Sequence, residues 1–172
     1  CAAENVLYVE AMISSSHAKL KGMTYHSFLN GVVLGAKQAR DEFGIVSKYI
    51  MNGIRHLGPD SVFETAEEVL NNPHPDLVGF GLAGDELHFP AKLFKKTYDL
   101  LKKENFPITI HAGEWDGPQS IRDAINLLHA TRLGHGVRCI EDQSLIDELK
   151  NSDIVLETCP TSNIATKIYP SY

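Results

Sequence analysis

Two histidines and a glutamate lie at the ends of predicted strands, where they could act on one substrate. His111 and Glu114 belong to ITIHAGE, in which three β-forming residues run into a histidine, two small residues and a carboxylate. His135 lies between two glycines in LGHG, after the next predicted strand. A histidine can bind a metal ion and a nearby carboxyl can transfer protons. A buried imidazole beside a solvated loop acid is the alternative, but two histidines after neighbouring strands favour an active site.

Spacing alone allows both His111 and His135 to be metal ligands. A catalytic zinc site has three protein ligands and an open position for water, so this pair would need at least one more. His56 follows the second predicted strand and could reach the same place. The remaining histidines fall in predicted loops or helices and are expected at the surface: His17, His26, His74, His88 and His129.

Other polar residues at strand ends have two interpretations each. Asp85 and Glu86 are adjacent carboxylates that could bind substrate or simply be solvated in a loop. Gly84 before them could let the backbone approach a ligand, or could allow a tight turn. Cys159, in TCPTSN, could be a nucleophile, but a thiol at a strand end followed by proline is more often inert.

Predicted strands and helices alternate along the chain. The strands are expected at residues 5–13, 46–54, 76–82, 108–110, 131–136 and 153–159, and the helices at 24–44, 61–70, 91–103, 120–130 and 141–150. Gly44 is a predicted C-cap, and Ser61 with Glu64 forms a predicted capping box. Apolar stripes are predicted at Phe28, Leu29, Val32, Val33, Ala36 and Ala39, at Leu93, Phe94, Leu100 and Leu101, and at Ile121, Ala124, Ile125 and Leu128.

This alternation predicts a parallel sheet, because successive strand ends are spaced close to the roughly 30 residues of a βαβ unit. No glycine-rich phosphate-binding motif follows the first strand, which disfavours an open dinucleotide-binding sheet. Polar residues follow nearly every strand, and in a (β/α)8 barrel these ends converge on one mouth. A full barrel has eight units, so residues 1–172 are predicted to form a single domain, a partial (β/α)8 TIM barrel of six units without its first and last strands.

Composition favours a small ligand. The net charge of -6 and the pI near 5.7 argue against a nucleic-acid or membrane-surface partner, which would require a basic face. Three widely spaced cysteines, together with the lack of a signal-peptide pattern, predict a cytoplasmic location. The chain opens without an initiator methionine, which suggests that it was cut from a longer protein.

Four motifs together resemble the adenosine deaminase family of metal-dependent purine aminohydrolases. They are LAGDE at 82–86, HAGE at 111–114, RLGHG at 132–136 and CPTSN at 159–163, in the family's order, and the resemblance extends over essentially the whole chain. It implies that His111 is a ligand of a catalytic Zn²⁺ and that Glu114 donates a proton to purine N1. It also implies that the backbone N–H of Gly84 meets purine N3, and that His135 acts on the attacking water instead of binding the metal. Asp85 and Glu86 are expected to order the wall of the pocket.

The resemblance also implies a substrate. LAGDE resembles the nucleoside deaminases more than adenine or AMP deaminases, so the expected reaction of the intact protein is hydrolysis of adenosine, and of 2′-deoxyadenosine, to inosine and ammonia. The open alternatives are an inactive purine-binding paralogue or fragment, and a deaminase of adenine or a modified AMP. The family's HxH and DD motifs are absent from residues 1–172, so they are expected in flanking sequence and this piece alone is expected to be inactive. The oligomeric state stays open.

Overall fold

Six parallel strands form one sheet, paired in chain order, in the computed structural model, which describes residues 1–171. The strands are β1 (Tyr8–Ile13), β2 (Val46–Ile54), β3 (Leu77–Ala83), β4 (Ile108–Ala112), β5 (Arg132–His135) and β6 (Val155–Glu157). The sheet curls strongly, because Arg132 on β5 reaches across to Glu10 on β1 with its Nη1 atom 2.6 Å from Oε2. Strands four places apart in a flat sheet would lie about 19 Å from each other. The predicted partial barrel of six strand–helix units is therefore confirmed.

Seven α-helices connect or follow these strands. They are α1 (Ser15–Lys19), α2 (Tyr25–Phe43), α3 (Pro59–Asn71), α4 (Lys95–Lys103), α5 (Pro118–Asn126), α6 (Gln143–Lys150) and α7 (Pro160–Ala165). Four 3-10 turns lie at Ala2–Glu4, Arg55–Leu57, Ala91–Phe94 and Val137–Glu141. The sequence predicted the five longer helices but neither α1 nor α7, since a segment of five or six residues is too short to show a helical period.

Two predictions about helix α3 and helix α4 are wrong. Helix α3 begins at Pro59 and not at Ser61, since proline is well suited to the first turn and Gly58 before it has a φ of 87°. Leu93 is exposed because it lies in the 3-10 turn before α4, whose tighter winding rotates it off the apolar face. Phe94 and Leu101 are fully buried as predicted, and Tyr98 adds to the same face.

The predicted end of helix α2 and its apolar stripe are confirmed. Gly44 has a φ of 71° and donates its N–H to the carbonyl of Arg40, so it closes the helix as a left-handed cap. Leu29 is buried on the stripe, and Phe28 and Val32 are partly buried against the core.

The main core lies between the sheet and the helices that cover it. Phe80 on β3 and Tyr98 on α4 are both fully buried, with ring centroids 6.0 Å apart in an edge-to-face arrangement. The Tyr98 hydroxyl donates to the carbonyl of Gly81 at 2.9 Å, which fixes α4 against β3. No helix within residues 1–171 is long and apolar enough to cross a membrane.

Candidate active site

The three side chains predicted to do chemistry lie together at the carboxyl ends of β4 and β5. The ring centroids of His111 and His135 are 5.4 Å apart, and His135 Nε2 lies 3.4 Å from Glu114 Oε2. His135 is buried and the Glu114 side chain is only 15% exposed. Glu114 is therefore not a solvated loop acid, and the interpretation of the motif as part of an active site gains support.

Glycines in the HAGE and RLGHG motifs make this close packing possible. A Cβ atom on Gly134 would lie 3.0 Å from His111 Cγ, so a larger residue would push the ring away. Gly113 has a φ of 68°, and a Cβ there would lie 2.4 Å from the Cδ1 atom of Ile121. His135 itself has a φ of 66°, a left-handed conformation that costs energy in a non-glycine residue and is typical of functional sites.

Asn163 orients the imidazole of His135. The Oδ1 atom of Asn163 lies 2.7 Å from His135 Nδ1, and Asn163 is 3% exposed in the first turns of α7. A carboxamide oxygen only accepts, so this contact places the proton on Nδ1 and leaves the Nε2 lone pair directed towards Glu114. Asn163 belongs to the CPTSN motif, which was the signal in the sequence, but no individual role was assigned to it there.

Glu86 holds the loop that carries Glu114. This residue is 3% exposed, and its carboxylate accepts N–H groups from Gly113 at 2.6 Å, Glu114 at 3.2 Å, Trp115 at 2.9 Å and Asp116 at 3.2 Å, and the hydroxyl of Ser120. Glu86 is therefore not a solvated loop residue, and its contacts agree with the expectation that it orders the pocket wall. Asp85 beside it points elsewhere, with both carboxylate oxygens on the backbone N–H and ring Nδ1 of His88.

Arg55 is a second buried residue that holds the backbone of the site, and no role was predicted for it from the sequence. It is fully buried, and its guanidinium donates to the carbonyl of Phe89 at 2.6 Å and to the carbonyl of His111 at 2.9 Å. The second bond fixes the backbone of β4 at the position from which the His111 ring projects. His56 next in sequence is exposed and its ring neighbours that of His17, 6.1 Å away.

Burial sets the protonation preferences of the site. Burial raises the pKa of Glu114; the neighbouring His135 opposes that shift and the negative charge of Glu86 adds to it. Burial lowers the pKa of His111, and the proximity of His135 lowers it further. Glu114 is thus biased towards a protonated acid and His111 towards the neutral form that can bind a metal ion.

One imidazole suits a metal, but the described residues do not complete its ligand set. The Nδ1 atom of His111 is buried without a hydrogen-bond partner. A buried ring nitrogen without a protein partner is compatible with binding of an ion. Residues 1–171 contain no group of three His, Cys, Asp or Glu side chains that could hold a metal ion. His111 therefore fits as one ligand of a metal ion, and the described residues place no two further ligands beside it.

Cys159 has the environment of an inert thiol. Its Sγ atom donates to the carbonyl of Glu157 at 3.4 Å. Burial raises the pKa of this thiol, and the carboxylates of Glu157 and Glu114 raise it further. A raised pKa lowers the fraction of thiolate, so the nucleophile interpretation is not supported.

A cleft of about 370 Å³ opens between the loops that follow β3 and β4. Gly84, Glu114 and Trp115 are among the residues that line it. Gly84 has a φ of 102°, so its backbone takes a conformation that favours glycine at the cleft wall. The cleft has the size range of small-molecule sites, and its walls include the predicted substrate-binding and proton-donating residues.

The chain belongs to the adenosine deaminase family, whose model matches residues 1–172. It is 39% identical over 166 residues to an adenine deaminase of Sinorhizobium medicae, an alignment that covers 96% of this chain and 51% of that protein. It is likewise 39% identical over 168 residues to an adenine deaminase of Agrobacterium fabrum, covering 98% and 52%. The chain thus spans about half the length of the curated relatives it matches.

Solved structures show the same fold. An adenine deaminase from Arthrobacter aurescens superposes with a TM-score of 0.91 at 27% identity, covering 99% of this chain and 52% of that one. A Burkholderia ambifaria amidohydrolase with bound Zn gives 0.89 at 26% identity, covering 94% and 45%. The N6-methyl-AMP deaminase of Arabidopsis thaliana gives 0.83 at 27% identity, covering 99% and 52%.

Proposed function

We propose that the protein containing this chain is a zinc-dependent hydrolytic deaminase of a 6-aminopurine, with adenine as its substrate. The buried pair of Glu114 and His135 carries this proposal, because it places a carboxyl with a raised pKa 3.4 Å from an imidazole nitrogen that bears a lone pair. Membership of the family and the names of the relatives support the same reaction class.

The residues divide the reaction between them. Protonated Glu114 donates to purine N1, which makes C6 electrophilic, while His135 Nε2 orients the attacking water and takes its proton. Gly84 would offer its backbone N–H to purine N3 from the cleft wall. A Zn²⁺ ion held by His111, and by ligands outside residues 1–171, would supply Lewis-acid activation of the water. Addition at C6 and departure of ammonia complete the hydrolysis.

Adenosine is the second candidate substrate. The relatives named adenine deaminase favour the free base, and a structural neighbour acts on N6-methyl-AMP by its name. The LAGDE motif at 82–86 instead resembles the nucleoside deaminases. A direct comparison of the two substrates therefore decides between them.

The test uses the full-length protein with added zinc. Ammonia release is measured with adenine, adenosine, 2′-deoxyadenosine and N6-methyl-AMP, and the values of kcat/KM are compared. We expect adenine to give the highest value. A higher value for adenosine would favour the nucleoside reaction, and purine binding without turnover would identify an inactive paralogue. We also propose a cytoplasmic location, which is supported by the wide spacing of the three cysteines in the sequence.

Glu114→Gln tests the assigned proton donor. The amide keeps the shape of the side chain but cannot donate an acidic proton, so we expect kcat to fall by about 10²- to 10⁴-fold. Zinc content and thermal unfolding should match those of the parent protein. Glu67→Gln, at an exposed glutamate on α3, is the matched control and should keep full activity. An active Glu114→Gln enzyme would contradict the role given to this residue.

A further inference from the structure

We propose that Glu86 is a positioning residue, which fixes the backbone of residues 113–116 so that the carboxyl of Glu114 faces His135. This inference rests on the proposed function, because it concerns the residue to which we assign proton donation. It adds a role for the last residue of the LAGDE motif. The role follows from the hydrogen bonds of one carboxylate to a single loop.

The geometry around Glu86 resembles an anion held in a concave row of backbone amides. Its Oε2 atom accepts the N–H groups of Glu114, Trp115 and Asp116, and its Oε1 atom accepts the N–H of Gly113. Successive amides that point at one anion form such a concavity. The four peptide groups are thereby held in one conformation, between the end of β4 and the start of α5.

These bonds act on Glu114 through its own backbone. One of them is made by the N–H of Glu114 itself, and the others are made by its neighbours on both sides. The direction in which a side chain leaves the backbone is set by the peptide groups that flank it. A misplacement of about 1 Å at a reacting group can cost on the order of 100-fold in rate. The Glu86 bonds therefore determine where the Glu114 carboxyl lies.

The charge of Glu86 also favours the protonated form of Glu114. Burial is the main cause of the raised pKa of Glu114; His135 opposes the shift, and the negative charge of Glu86 adds to it. The thiol of Cys159 also interacts electrostatically with Glu114. A negative charge that is held near an acid keeps the proton on the acid to higher pH.

Neutral donors satisfy the buried carboxylate of Glu86. Among residues 1–171 no Lys, Arg or His lies within salt-bridge distance of Glu86, and the guanidinium of Arg55, whose charge interacts with that of Glu86, bonds to the carbonyls of Phe89 and His111. Burying a carboxylate without a hydrogen-bonded cation is costly, so the donors of the loop matter for Glu86. A carboxylate suits these five donors, since both of its oxygens accept hydrogen bonds and neither carries a hydrogen.

The decisive variant is Glu86→Gln in the full-length protein. Its amide group has the same shape but directs N–H atoms at backbone N–H groups, so the loop loses its fixed conformation. We expect kcat to fall about 10- to 100-fold while KM changes by less than about threefold. The alkaline limb of the kcat/KM profile should move to lower pH, because the loss of a negative charge lowers the pKa of Glu114.

Two further variants separate the hydrogen bonds from the charge. Asp85→Asn removes the same charge one residue away, at a side chain that bonds to His88 and not to the loop, so its effect on kcat should be at least about tenfold smaller than that of Glu86→Gln. Ser120→Ala removes one donor to Glu86 and keeps the carboxylate. It should reduce kcat by about two- to tenfold, corresponding to one hydrogen bond.

Each outcome decides the proposal. A lower melting temperature with unchanged kcat per active site and an unchanged pH profile would assign Glu86 a purely structural role and overturn it. Equal losses in Glu86→Gln and Asp85→Asn would overturn it in favour of charge alone. If Glu86→Gln does not fold, kcat is compared between the parent protein, Ser120→Ala and Glu86→Asp instead.

Amide hydrogen exchange separates this proposal from the proposed function. If the parent protein turns over none of the purines, the reaction assignment fails, but exchange at residues 113–116 can still be measured. Faster exchange at these amides in Glu86→Gln or Ser120→Ala, with unchanged exchange on α3, supports positioning of the loop by Glu86. Unchanged exchange at residues 113–116 overturns it.

Discussion

The centre of the sheet and its two edges differ in how completely they are covered. Every residue of β2 from Tyr49 to Ile54 is buried, whereas β1 and β6 contain no buried residue. The covering helices show the same difference, since α3 buries four of its 13 residues and α2 only two of its 19. Parallel strands are stable when both faces are covered, so the centre carries most of the stability of this chain.

The candidate active site uses this well-covered part of the fold. His111 and His135 project from β4 and β5, and Glu86 reaches the next loop from the end of β3. A site on buried strands holds its side chains more tightly than one on loosely packed segments, because the backbone beneath them cannot shift. Stability and chemistry are therefore concentrated in the inner strands of the sheet, from β2 to β5, each of which contains buried residues.

The largest effect is expected at Phe80, which is fully buried against Tyr98. Phe80→Ala leaves a cavity between β3 and α4 and should lower the free energy of unfolding by about 3–5 kcal/mol. Leu34→Ala is the matched change at the edge, on a residue of α2 that is 67% exposed, and should cost less than about 0.5 kcal/mol. Urea unfolding of the full-length protein measures both. Equal costs would contradict the contrast between centre and edge.

A smaller effect is expected at Asn163, which links α7 to the centre of the site. Asn163→Ala removes the acceptor for His135 Nδ1 and lets the imidazole rotate or change tautomer, so kcat should fall about tenfold, or roughly 1.4 kcal/mol. Asn163→Asp keeps an acceptor at the same place and should retain more activity. Nitrogen chemical shifts of His135 report the tautomer directly. Full activity of Asn163→Ala would show that strand packing alone orients the ring.

The smallest effect is expected at a half-buried ion pair on the helical layer. Asp142 caps α6, and its Oδ2 atom lies 2.7 Å from Nη1 of Arg122. The hydrogen bonds that Arg122 and Ser144 donate hold the pKa of Asp142 below its ordinary value of 3.8. A lowered folded-state pKa stabilises the protein above pH 3.8, and this contribution is lost as the pH falls below that value. Urea unfolding between pH 7 and pH 3 should therefore show a steeper acid loss in the parent protein than in Asp142→Asn. If the free energy of unfolding falls equally with pH in both proteins, this ion pair does not contribute to acid stability.

The alternation of strands and helices could be read from the sequence because each long element shows a clear period. Strand β2 matches its predicted bounds, since a run of β-forming residues ends directly at Arg55. The errors fall where a local signal was ambiguous. Ser61 and Glu64 form a plausible capping box, but Pro59 upstream starts the helix first. Helices α1 and α7 are too short for a periodic signal.

The candidate site was partly visible in the sequence. His111, Glu114 and His135 stood out because histidines and carboxylates at successive strand ends of a barrel meet at one mouth, and the structure places them together. Asn163 received no role and Glu86 only a general one in the pocket wall, because a residue that acts on another side chain is recognised only from the contact itself. Glu86 lies 27 positions before Gly113 in the chain, so no local pattern connects them.

The sequence by itself determined the class of fold, the family and the residue types that can do the chemistry, because these depend on periodicity and on short motifs. Only the tertiary structure decided which carboxylate is an acid beside an imidazole, which one organises a loop and which one pairs with His88. Glu114, Glu86 and Asp85 are alike as isolated residues. Their difference comes from burial and from the donors that packing brings to each, and these are properties of the folded chain.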